Sequence, residues 1–341
     1  MRDRPTGIGE RELRLALAEG WRIDVTVMRY AAVGGGSYHW VVRDGPGRGL
    51  FVTVDDLNDK AWLGDTRPTV MAGLRSAMDT ALALRRDAVL EFVAAPVPGC
   101  GDATVRPVGP GHAVSVFPLL SGAAGRFGEA LSAPERAALV DMLAALHRST
   151  PTVAARARTA LTALAWREAL DAALRDLGQP WRSGPFAEQA RALLAGAEHQ
   201  VRRLLETFDR QADAVQAGAL ALTHGEPHPG NVMRAGSQRM LVDWDTVGLA
   251  PPERDLWWVI GETGEGARRY AELTGRAVDP AVLAFYRLRW ALDDISSFVS
   301  RLRGEHGRTA DAEHAWLALK ATVVRLPGAD GDRPRPVTCW S

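Results

Sequence analysis

Lysine is almost absent from this chain of 341 residues: Lys60 and Lys320 are the only two, and nearly all of the positive charge comes from arginine. Lys and Arg together number 41, as do Asp and Glu together, so the formal net charge is zero. Proteins that bind nucleic acid or membrane surfaces in general carry a basic excess. The balanced charge therefore predicts neither a nucleic-acid partner nor a membrane partner.

Cysteine, long apolar runs and repeats are also scarce. Cys100 and Cys339 are the only cysteines, which argues against a disulfide scaffold or a zinc site. The charged residues 1–5 lack the apolar core of a signal peptide, and no uninterrupted apolar run approaches a membrane span. No fixed repeat indicates a solenoid. We expect a protein of the reducing cytoplasm.

The apolar pattern that is present divides the chain into two parts. A hydrophobic content of 46% and a charged content of 24% are ordinary for a globular protein with a sizeable core. In the first part, residues 10–19 and 68–86 have helical spacing. Five segments there have the alternation or composition of strands: 23–30, 37–42, 51–54, 90–97 and 112–117.

The second part of the chain is dominated by helical patterns. Turn-forming residues 118–122 end the last strand and indicate a hinge between residues 1–117 and residues 123–327. Residues 328–341 are predicted to be a loose tail. The predicted helices span 134–148, 153–177, 186–208, 252–262, 280–303 and 311–324.

The strongest chemical signal lies in residues 223–231. A kinase catalytic loop contains His-x-Asp, then four intervening residues, then Asn. His224, Glu226 and Asn231 keep that spacing, with Glu in the place of Asp. Glu226 is the predicted catalytic carboxylate, which orients an acceptor hydroxyl and receives its proton. Glu is longer than Asp by about 1.5 Å, so either the loop is set back to suit it or the site is impaired.

A second acid follows after a short predicted hairpin. Residues 235–238 resemble a turn between two apolar segments, and this turn would return Asp243 to the side of Asn231. Amide and carboxylate oxygens suit a hard cation such as Mg²⁺. Asn231 and Asp243 are therefore the predicted metal ligands and, with Glu226, the predicted catalytic set. His224 and His228 are not interpreted as a zinc pair, because that motif requires a helix and prolines flank His228.

These motifs resemble the signature of the aminoglycoside phosphotransferases, including the later Arg254-Asp255-Leu256. Residues 34–40, 51–57 and 286–290 look most like the branch of spectinomycin phosphotransferases, and the likeness covers roughly residues 34–316. The resemblance implies an α+β, bilobal protein-kinase-like fold, with a small antiparallel sheet and one helix before a larger helical lobe. It also implies Mg²⁺, ATP or GTP as co-substrate, and a small polyhydroxylated, cationic acceptor such as an aminoglycoside or aminocyclitol antibiotic.

The resemblance also implies residues for each ligand. The expected nucleotide contacts come from a glycine turn, the third strand and the hinge: Gly34, Gly35, Gly36, Ser37, Thr53, Phe117 and Leu119. A cationic acceptor needs carboxylates beyond the catalytic loop, for which the candidates are Asp245, Glu262, Asp293 and Asp294. Asp255 is expected to hydrogen-bond the backbone of the catalytic loop.

One residue departs from the kinase pattern. The third strand of a kinase carries a lysine that holds the α- and β-phosphates, but the matching position here is Thr53. Lys60 reaches back only if its segment folds over the site, and Arg75 or Arg85 are other possible substitutes.

Three functions remain open from the sequence. The first is a nucleotide-dependent phosphotransferase acting on an antibiotic-like hydroxyl. The second is a catalytically impaired kinase-fold binding protein, which Thr53 and Glu226 permit. The third is a kinase for a small metabolite. Product formation that depends on an acceptor separates the first and third from the second.

Overall fold

The structure is a computed structural model and describes residues 1–261 and 264–326. Contacts within the chain define two compact units. The first comprises Met1–Ala160 and Ala219–Val278, and the second comprises Leu161–Gly218 and the described part of Asp279–Val337. The predicted lobe boundary at 118–122 falls inside the first unit and stays a prediction, and the predicted tail at 328–341 lies outside the described residues.

The first unit contains an antiparallel sheet of five strands. Its strands are β1 (Val25–Ala31), β2 (Tyr38–Asp44), β3 (Gly49–Asp56), β4 (Arg106–Val108) and β5 (His112–Pro118). They are arranged in the order β1-β2-β3-β5-β4. Four of these strands overlap the predicted ones, and β3 lies in the middle of the sheet.

Two helices cover the two faces of this sheet. On β3, Val52 and Val54 point into an apolar cluster with Leu13 and Leu17 of α1 (Glu10–Trp21). The other face carries the alternate residues and packs on α2 (Arg67–Arg86), which buries Val70, Leu74 and Met78. Thr53 and Asp55 belong to this second face because successive strand residues alternate. The sheet therefore presents its polar β3 residues on the side of α2.

The predicted strand at 90–97 is wrong. Only Val93 forms a bridge, to Leu241, and the fourth strand is β4 instead. Pro96 and Pro98 have no N–H to donate, which prevents a continuous ladder. Ala94 donates its N–H to the carbonyl of Leu241 at 3.0 Å, so the segment packs along the hairpin that precedes Asp243 without being a strand.

Short strands and helices complete the described chain. The strands are β6 (Ala123–Ala124), β7 (Ala221–Thr223), β8 (Val232–Ala235), β9 (Gln238–Leu241) and β10 (Gly248–Ala250). The helices are α3 (Ala133–Arg148), α4 (Thr150–Val153), α5 (Arg167–Arg175), α6 (Ala187–Gln216), α7 (Glu253–Leu256), α8 (Glu265–Thr274), α9 (Pro280–Arg303) and α10 (Ala310–Val324).

The predicted helix at 153–177 is also wrong in its middle. Its alanine-rich residues have helical spacing, but Thr159 bridges Leu249 and Ala160 donates its N–H to the carbonyl of Leu249 at 2.9 Å. This pairing with β10 overrides the local preference and separates α4 from α5. The predicted helix at 252–262 is shorter than expected, α6 is longer, and α8 was not predicted.

The regular secondary structure in the described part of the second unit is all helical. Helices α5, α6, α9 and α10 pack on one another through residues such as Phe208 and Phe285, whose rings stack at 5.1 Å. In residues 1–261 and 264–326, none of the helices combines the length and the hydropathy needed to cross a membrane.

Candidate active site

The catalytic loop begins where β7 ends, and a buried carboxylate holds its backbone. Asp255 accepts hydrogen bonds from the N–H of His224 at 2.8 Å and of Gly225 at 2.6 Å. His147 also lies against Asp255, with Nε2 at 3.0 Å from Oδ2. Burial alone would raise the pKa of Asp255, but these partners hold that pKa below its usual value. A charged anchor therefore fixes the start of the loop, as expected from the sequence.

Gly225 is required by the shape of this loop. Its φ is +104°, and an added Cβ would lie 2.5 Å from Nη2 of Arg254. Arg254 in turn donates to Oγ1 of Thr223 at 2.8 Å and to the carbonyl of Thr246 at 2.9 Å. The loop therefore turns around a guanidinium group that ties β7 to the segment after Asp243.

His224 supports the loop and has no ring nitrogen left for a metal. Its Nδ1 accepts the N–H of Glu226 at 3.3 Å, so Nε2 carries the proton and donates to the carbonyl of Val242 at 2.9 Å. Burial lowers the pKa of His224, which favours this neutral form. The ring also packs edge-on against Trp244, with centroids 4.6 Å apart.

The hairpin predicted from the sequence returns the chain to Asn231. Strands β8 and β9 pair from Val232–Leu241 to Ala235–Gln238. The N–H of Val242 then donates to the carbonyl of Asn231 at 3.0 Å. Nδ2 of Asn231 donates to the carbonyl of Glu226 at 2.9 Å, which directs its amide oxygen away from that contact. Glu226, Asn231 and the approach to Asp243 are thus brought together.

Asp243 lies among other carboxylates in a strained backbone conformation. Its φ is +65°, in the left-handed region that few residues other than glycine adopt. The residue is exposed to solvent. Nearby protein atoms nevertheless reduce the hydration of its carboxylate, which raises its pKa, and the charges of Asp245, Glu226 and Asp55 raise that pKa further. Mutual repulsion of this kind is relieved by a cation.

Lys60 supplies the cation that the sequence left in question. Its ammonium is fully buried, 2.6 Å from Oδ2 of Asp245 and 3.0 Å from Oδ1 of Asp55. Burial alone would lower the pKa of Lys60, but Asp245 and Asp55 raise it above its usual range. The lysine is therefore charged. Asp245 is paired with this lysine. Its contact with the substrate stays a prediction.

The other proposed substitutes for the third-strand lysine have different surroundings. Arg85 donates to the carbonyl of Glu91, and Arg75 is exposed on α2. Asp79 of α2 accepts a hydrogen bond from Oγ1 of Thr104 at 2.6 Å. Thr53 lies 3.2 Å from Nδ1 of His39, measured from its Oγ1. Desolvation lowers the pKa of His39 to about 3, so this neighbour is neutral.

The expected nucleotide contacts include an open turn between β1 and β2. Gly34, Gly35 and Gly36 are exposed, and an added Cβ at Gly35 or Gly36 would meet no atom within 4 Å. Ser37 is buried at the end of the turn. At the predicted hinge, Phe117 is half-buried and packs towards α2, and Leu119 donates its N–H to the carbonyl of Gly49 at 3.1 Å.

Aromatic rings lie beside the catalytic loop. His228 is 5.0 Å from Phe127 and 5.3 Å from Trp258, between ring centroids. Burial lowers the pKa of His228 to about 3, so the cluster is uncharged. These three rings form an uncharged cluster at the His228 end of the predicted loop.

A comparison with protein families identifies the chain. The model described as "Phosphotransferase enzyme family" matches residues 28–286, well over half of the sequence. The chain belongs to this family. The resemblance seen in the sequence is thereby confirmed, as is the prediction of a phosphotransferase enzyme.

Solved structures of several phosphotransferases share the fold. Spectinomycin phosphotransferase APH(9)-Ia, in complex with ADP and spectinomycin, has a TM-score of 0.71 at 17% identity, covering 94% of this chain and 98% of that one. A microcompartment-associated aminopropanol kinase has a TM-score of 0.56 at 19% identity, covering 93% and 96%. The predicted kinase-like α+β fold is confirmed.

One curated relative matches over part of its length. Protein StrN of Streptomyces griseus is 30% identical over 170 residues, which are 48% of this chain and 48% of the relative. The match therefore spans about half of the relative.

Three further carboxylates were predicted to bind the acceptor, and they lie later in the sequence than the loop: Glu262, Asp293 and Asp294. Glu262 lies outside the described residues. On α9, Asp293 pairs with Arg289 at 2.8 Å, and Asp294 accepts a hydrogen bond from Oγ1 of Thr322 at 3.3 Å. All of these partners belong to the second unit. A role in acceptor binding stays a prediction for the three acids.

Sequence reasoning did not identify Asp55 as a site residue and did not predict the ion pairs of Lys60 with Asp55 and Asp245. Asp55 is buried at the end of β3 and bonds both Lys60 and Ser37. The available signal was the near absence of lysine, which left Lys60 as the one ammonium group in the first 319 residues.

Proposed function

We propose that this phosphotransferase moves the γ-phosphoryl group of ATP or GTP, with Mg²⁺, to a hydroxyl of a small, polyhydroxylated, cationic acceptor of the aminoglycoside or aminocyclitol type. The observation that carries the proposal is the return of Asp243 to Asn231 and Glu226 through the hairpin of β8 and β9. Phosphoryl transfer depends mostly on positioning and charge stabilisation, and this arrangement provides a positioned acid, an amide and a second acid.

Glu226 is assigned the role of general base, which receives the proton of the acceptor hydroxyl. A new bond forms between the acceptor oxygen and the γ-phosphorus, the bond from that phosphorus to the bridging oxygen of the nucleotide breaks, and the hydroxyl proton passes to the Glu226 carboxylate. The nucleoside diphosphate leaves with the electron pair of the broken bond. Asn231 holds the Glu226 backbone at 2.9 Å from its Nδ2, and Asp255 holds the start of the loop, so neither anchor depends on the Glu226 side chain.

The donor set fits a magnesium ion. Asn231 and Asp243 offer one amide oxygen and one carboxylate, and Mg²⁺ typically takes one or two carboxylates together with substrate phosphates. In the described part of the chain, no three His, Cys, Asp or Glu side chains form a complete metal cage. The repulsion that raises the pKa of Asp243 also favours a bound cation. When bound, the ion would neutralise charge on the phosphates.

The acceptor class is supported by charge and by the surroundings of the loop. Asp245, Glu226 and Asp55 each act electrostatically on Asp243, and Lys60 is the opposing charge. An acidic site of this kind attracts a cationic acceptor. The rings of Phe127, His228 and Trp258 offer an apolar surface beside it. The similar structures named above include one determined with spectinomycin.

A kinase for a small amino alcohol is the second candidate. The aminopropanol kinase shares the fold at a TM-score of 0.56, equal to that of an amicoumacin kinase crystallised with AMP-PNP and Ca²⁺. The same catalytic set would serve either acceptor, because the reacting group is a hydroxyl in both. An impaired binding protein is less favoured, because the loop and the hairpin bring Glu226 and Asn231 together with the approach to Asp243.

A transfer assay with labelled ATP and GTP tests the proposal. The purified chain is incubated with Mg²⁺ and a panel of aminocyclitols, aminoglycosides and small amino alcohols, and phosphorylated product is identified by mass. Glu226→Gln should lower the rate about 10²–10⁴-fold, whereas the exposed control Glu206→Gln should match the parent. Product only from amino alcohols would favour the second candidate, and nucleotide binding without any product would favour the impaired protein.

A further inference from the structure

Lys60 is fully enclosed although it is charged and lies near the predicted catalytic set. Its side chain has a relative exposure of 0%, and the facing Asp55 and Asp245 side chains have 3% and 10%. Burying an ammonium is costly unless it is paired and hydrogen-bonded. A lysine so placed therefore has a defined set of partners.

Protein atoms surround the ammonium, which makes two hydrogen bonds and one further ion pair. Nζ lies 2.6 Å from Oδ2 of Asp245, 3.0 Å from Oδ1 of Asp55 and 3.2 Å from Oγ of Ser37. Ser37 itself donates to Oδ1 of Asp55 at 2.6 Å. The Lys60 side chain has no exposed surface, so its ammonium is closed to a phosphate oxygen in this arrangement. This distinguishes it from the third-strand lysine of kinases, which holds the phosphates.

The three partners come from three parts of the predicted site. Ser37 ends the glycine turn, Asp55 ends β3, and Asp245 follows the predicted metal ligand Asp243 by two residues. Lys60 is therefore the point at which the turn, the sheet and the metal-binding segment are joined.

The segment that carries Lys60 is itself fixed. Leu57 and Leu63 on either side are buried in the cluster beneath α2, and the N–H of Leu63 donates to the carbonyl of Lys60 at 2.9 Å. Arg158 donates to the carbonyl of Trp62 at 2.5 Å, and the ammonium lies 5.0 Å from the Trp62 ring centroid. Packing on both sides thus directs the lysine towards Asp245.

We infer that Lys60 is a positioning residue for the nucleotide and its metal, acting through Ser37 and Asp245 without contacting the phosphates. It holds the glycine turn at a fixed place relative to the metal-binding segment, so that the turn's backbone N–H groups and Asp243 meet the same phosphates. This inference rests on the proposed nucleotide-dependent transfer. It differs from a relocated phosphate-binding lysine, whose ammonium would bond the nucleotide directly.

The kinetic consequence is selective. Displacement of the turn relative to Asp243 by about 1 Å can cost about a hundredfold in rate, and that cost falls on the nucleotide side. Lys60→Met should lower kcat/KM for the magnesium nucleotide about a hundredfold and leave the KM of the acceptor within about twofold. Lys60→Arg keeps the charge and should recover part of this loss, incompletely because its fork has a different geometry.

The experiment compares Lys60→Met and Lys60→Arg with Lys320→Met, the same change at the exposed lysine of α10. Initial rates are measured against nucleotide at saturating acceptor and against acceptor at saturating nucleotide, with Lys320→Met expected to match the parent. Equal kinetics for Lys60→Met and the parent, or equal defects on both substrates, would overturn the inference.

A further variant covers the case in which Lys60→Met folds poorly. Lys60→Met combined with Asp245→Asn removes one negative charge together with the positive one and should recover thermal stability, with Asp245→Asn alone as reference. The inference predicts that the nucleotide defect persists in the stable double variant and exceeds that of Asp245→Asn. If stability and nucleotide kinetics recover together, Lys60 is only a structural ion pair. Calorimetric binding of magnesium nucleotide to the parent separates this failure from failure of the proposed function, in which the parent would bind none.

Discussion

The catalytic loop at 223–231 and the glycine turn at 33–37 are both expected to serve the nucleotide, yet they are built in opposite ways. Loop residues His224 and Asn231 are buried, and their backbone or side-chain groups bond Asp255, Val242 and Glu226. The turn exposes its glycines, and no atoms surround an added Cβ at Gly35 or Gly36.

The loop at 223–231 is therefore held in place by the protein itself, whereas the turn at 33–37 has open space for a ligand. The protein's own hydrogen bonds position Glu226 and Asn231, the predicted catalytic acid and one predicted metal ligand, as catalysis by positioning requires. The turn instead offers backbone groups with open space around them, which suits close approach of phosphates. Substitutions in the loop should therefore change stability and chemistry together, and substitutions in the turn should change nucleotide affinity alone.

The largest expected effect is that of Asp243→Asn. Asn tolerates the left-handed backbone of this position, so the protein should fold while kcat falls on the order of 10³-fold through loss of the charged metal ligand. Without metal or nucleotide, this variant should also be more stable than the parent at neutral pH. The raised pKa means that the parent loses stability as pH rises through that pKa, and the difference should vanish below the usual pKa of Asp. Thermal melts at several pH values check the sign, and a lower melting temperature for the variant at neutral pH would refute it.

The second effect is that of Asp255→Ala on the loop's anchor. Three donors, on His147, His224 and Gly225, lose their acceptor. At about 1 kcal/mol or more for each, the free energy of unfolding should fall by about 3 kcal/mol, measured by urea denaturation. The exposed control Asp213→Ala should stay within about 0.5 kcal/mol. Because the pKa of Asp255 is lowered, its contribution is complete above the usual pKa of Asp and is lost as pH falls through the lowered value.

The third effect is that of Glu226→Asp, which tests whether the loop is shaped for Glu rather than for the Asp of the kinase pattern. The backbone of Glu226 is held by Asn231 and His224, so shortening the side chain withdraws the carboxylate by about 1.5 Å. We expect kcat to fall up to about a hundredfold with the melting temperature unchanged, measured by steady-state rates. A faster Glu226→Asp variant would mean instead that the parent site is impaired.

The smallest expected effect belongs to the turn. Gly36→Ala meets no atom within 4 Å, so stability should be unchanged, while the KM for nucleotide should rise about three- to tenfold through steric exclusion of phosphate. Gly225→Ala is the contrasting variant in the loop and should be strongly destabilised, because its Cβ would lie 2.5 Å from Arg254. Equal stability losses for the two variants would remove the distinction between the regions.

Sequence reasoning succeeded where the determinants are local. The spacing of His224, Glu226 and Asn231 and the hairpin before Asp243 are short-range features, and the structure has them as expected. The alternation of β3 and the composition of α2 likewise located the sheet and its helix.

It failed where distant residues decide the structure. Lys60 and Asp245 are separated by 185 positions, so their pairing could not be derived from spacing. The extended stretch at Thr159 and Ala160 depends on Leu249, and the irregular segment at 90–97 depends on Leu241. In each case a tertiary contact overrides a local pattern.

The most direct test of the account is the binding of Mn²⁺, as a paramagnetic substitute for Mg²⁺, in the presence of a non-hydrolysable ATP analogue. Electron paramagnetic resonance of the parent should show Mn²⁺ binding that requires the nucleotide, and Asn231→Ala and Asp243→Asn should each weaken it at least tenfold, with Glu206→Gln unchanged. Undiminished Mn²⁺ affinity in both variants would contradict the claim that Asn231 and Asp243 hold the metal beside Glu226.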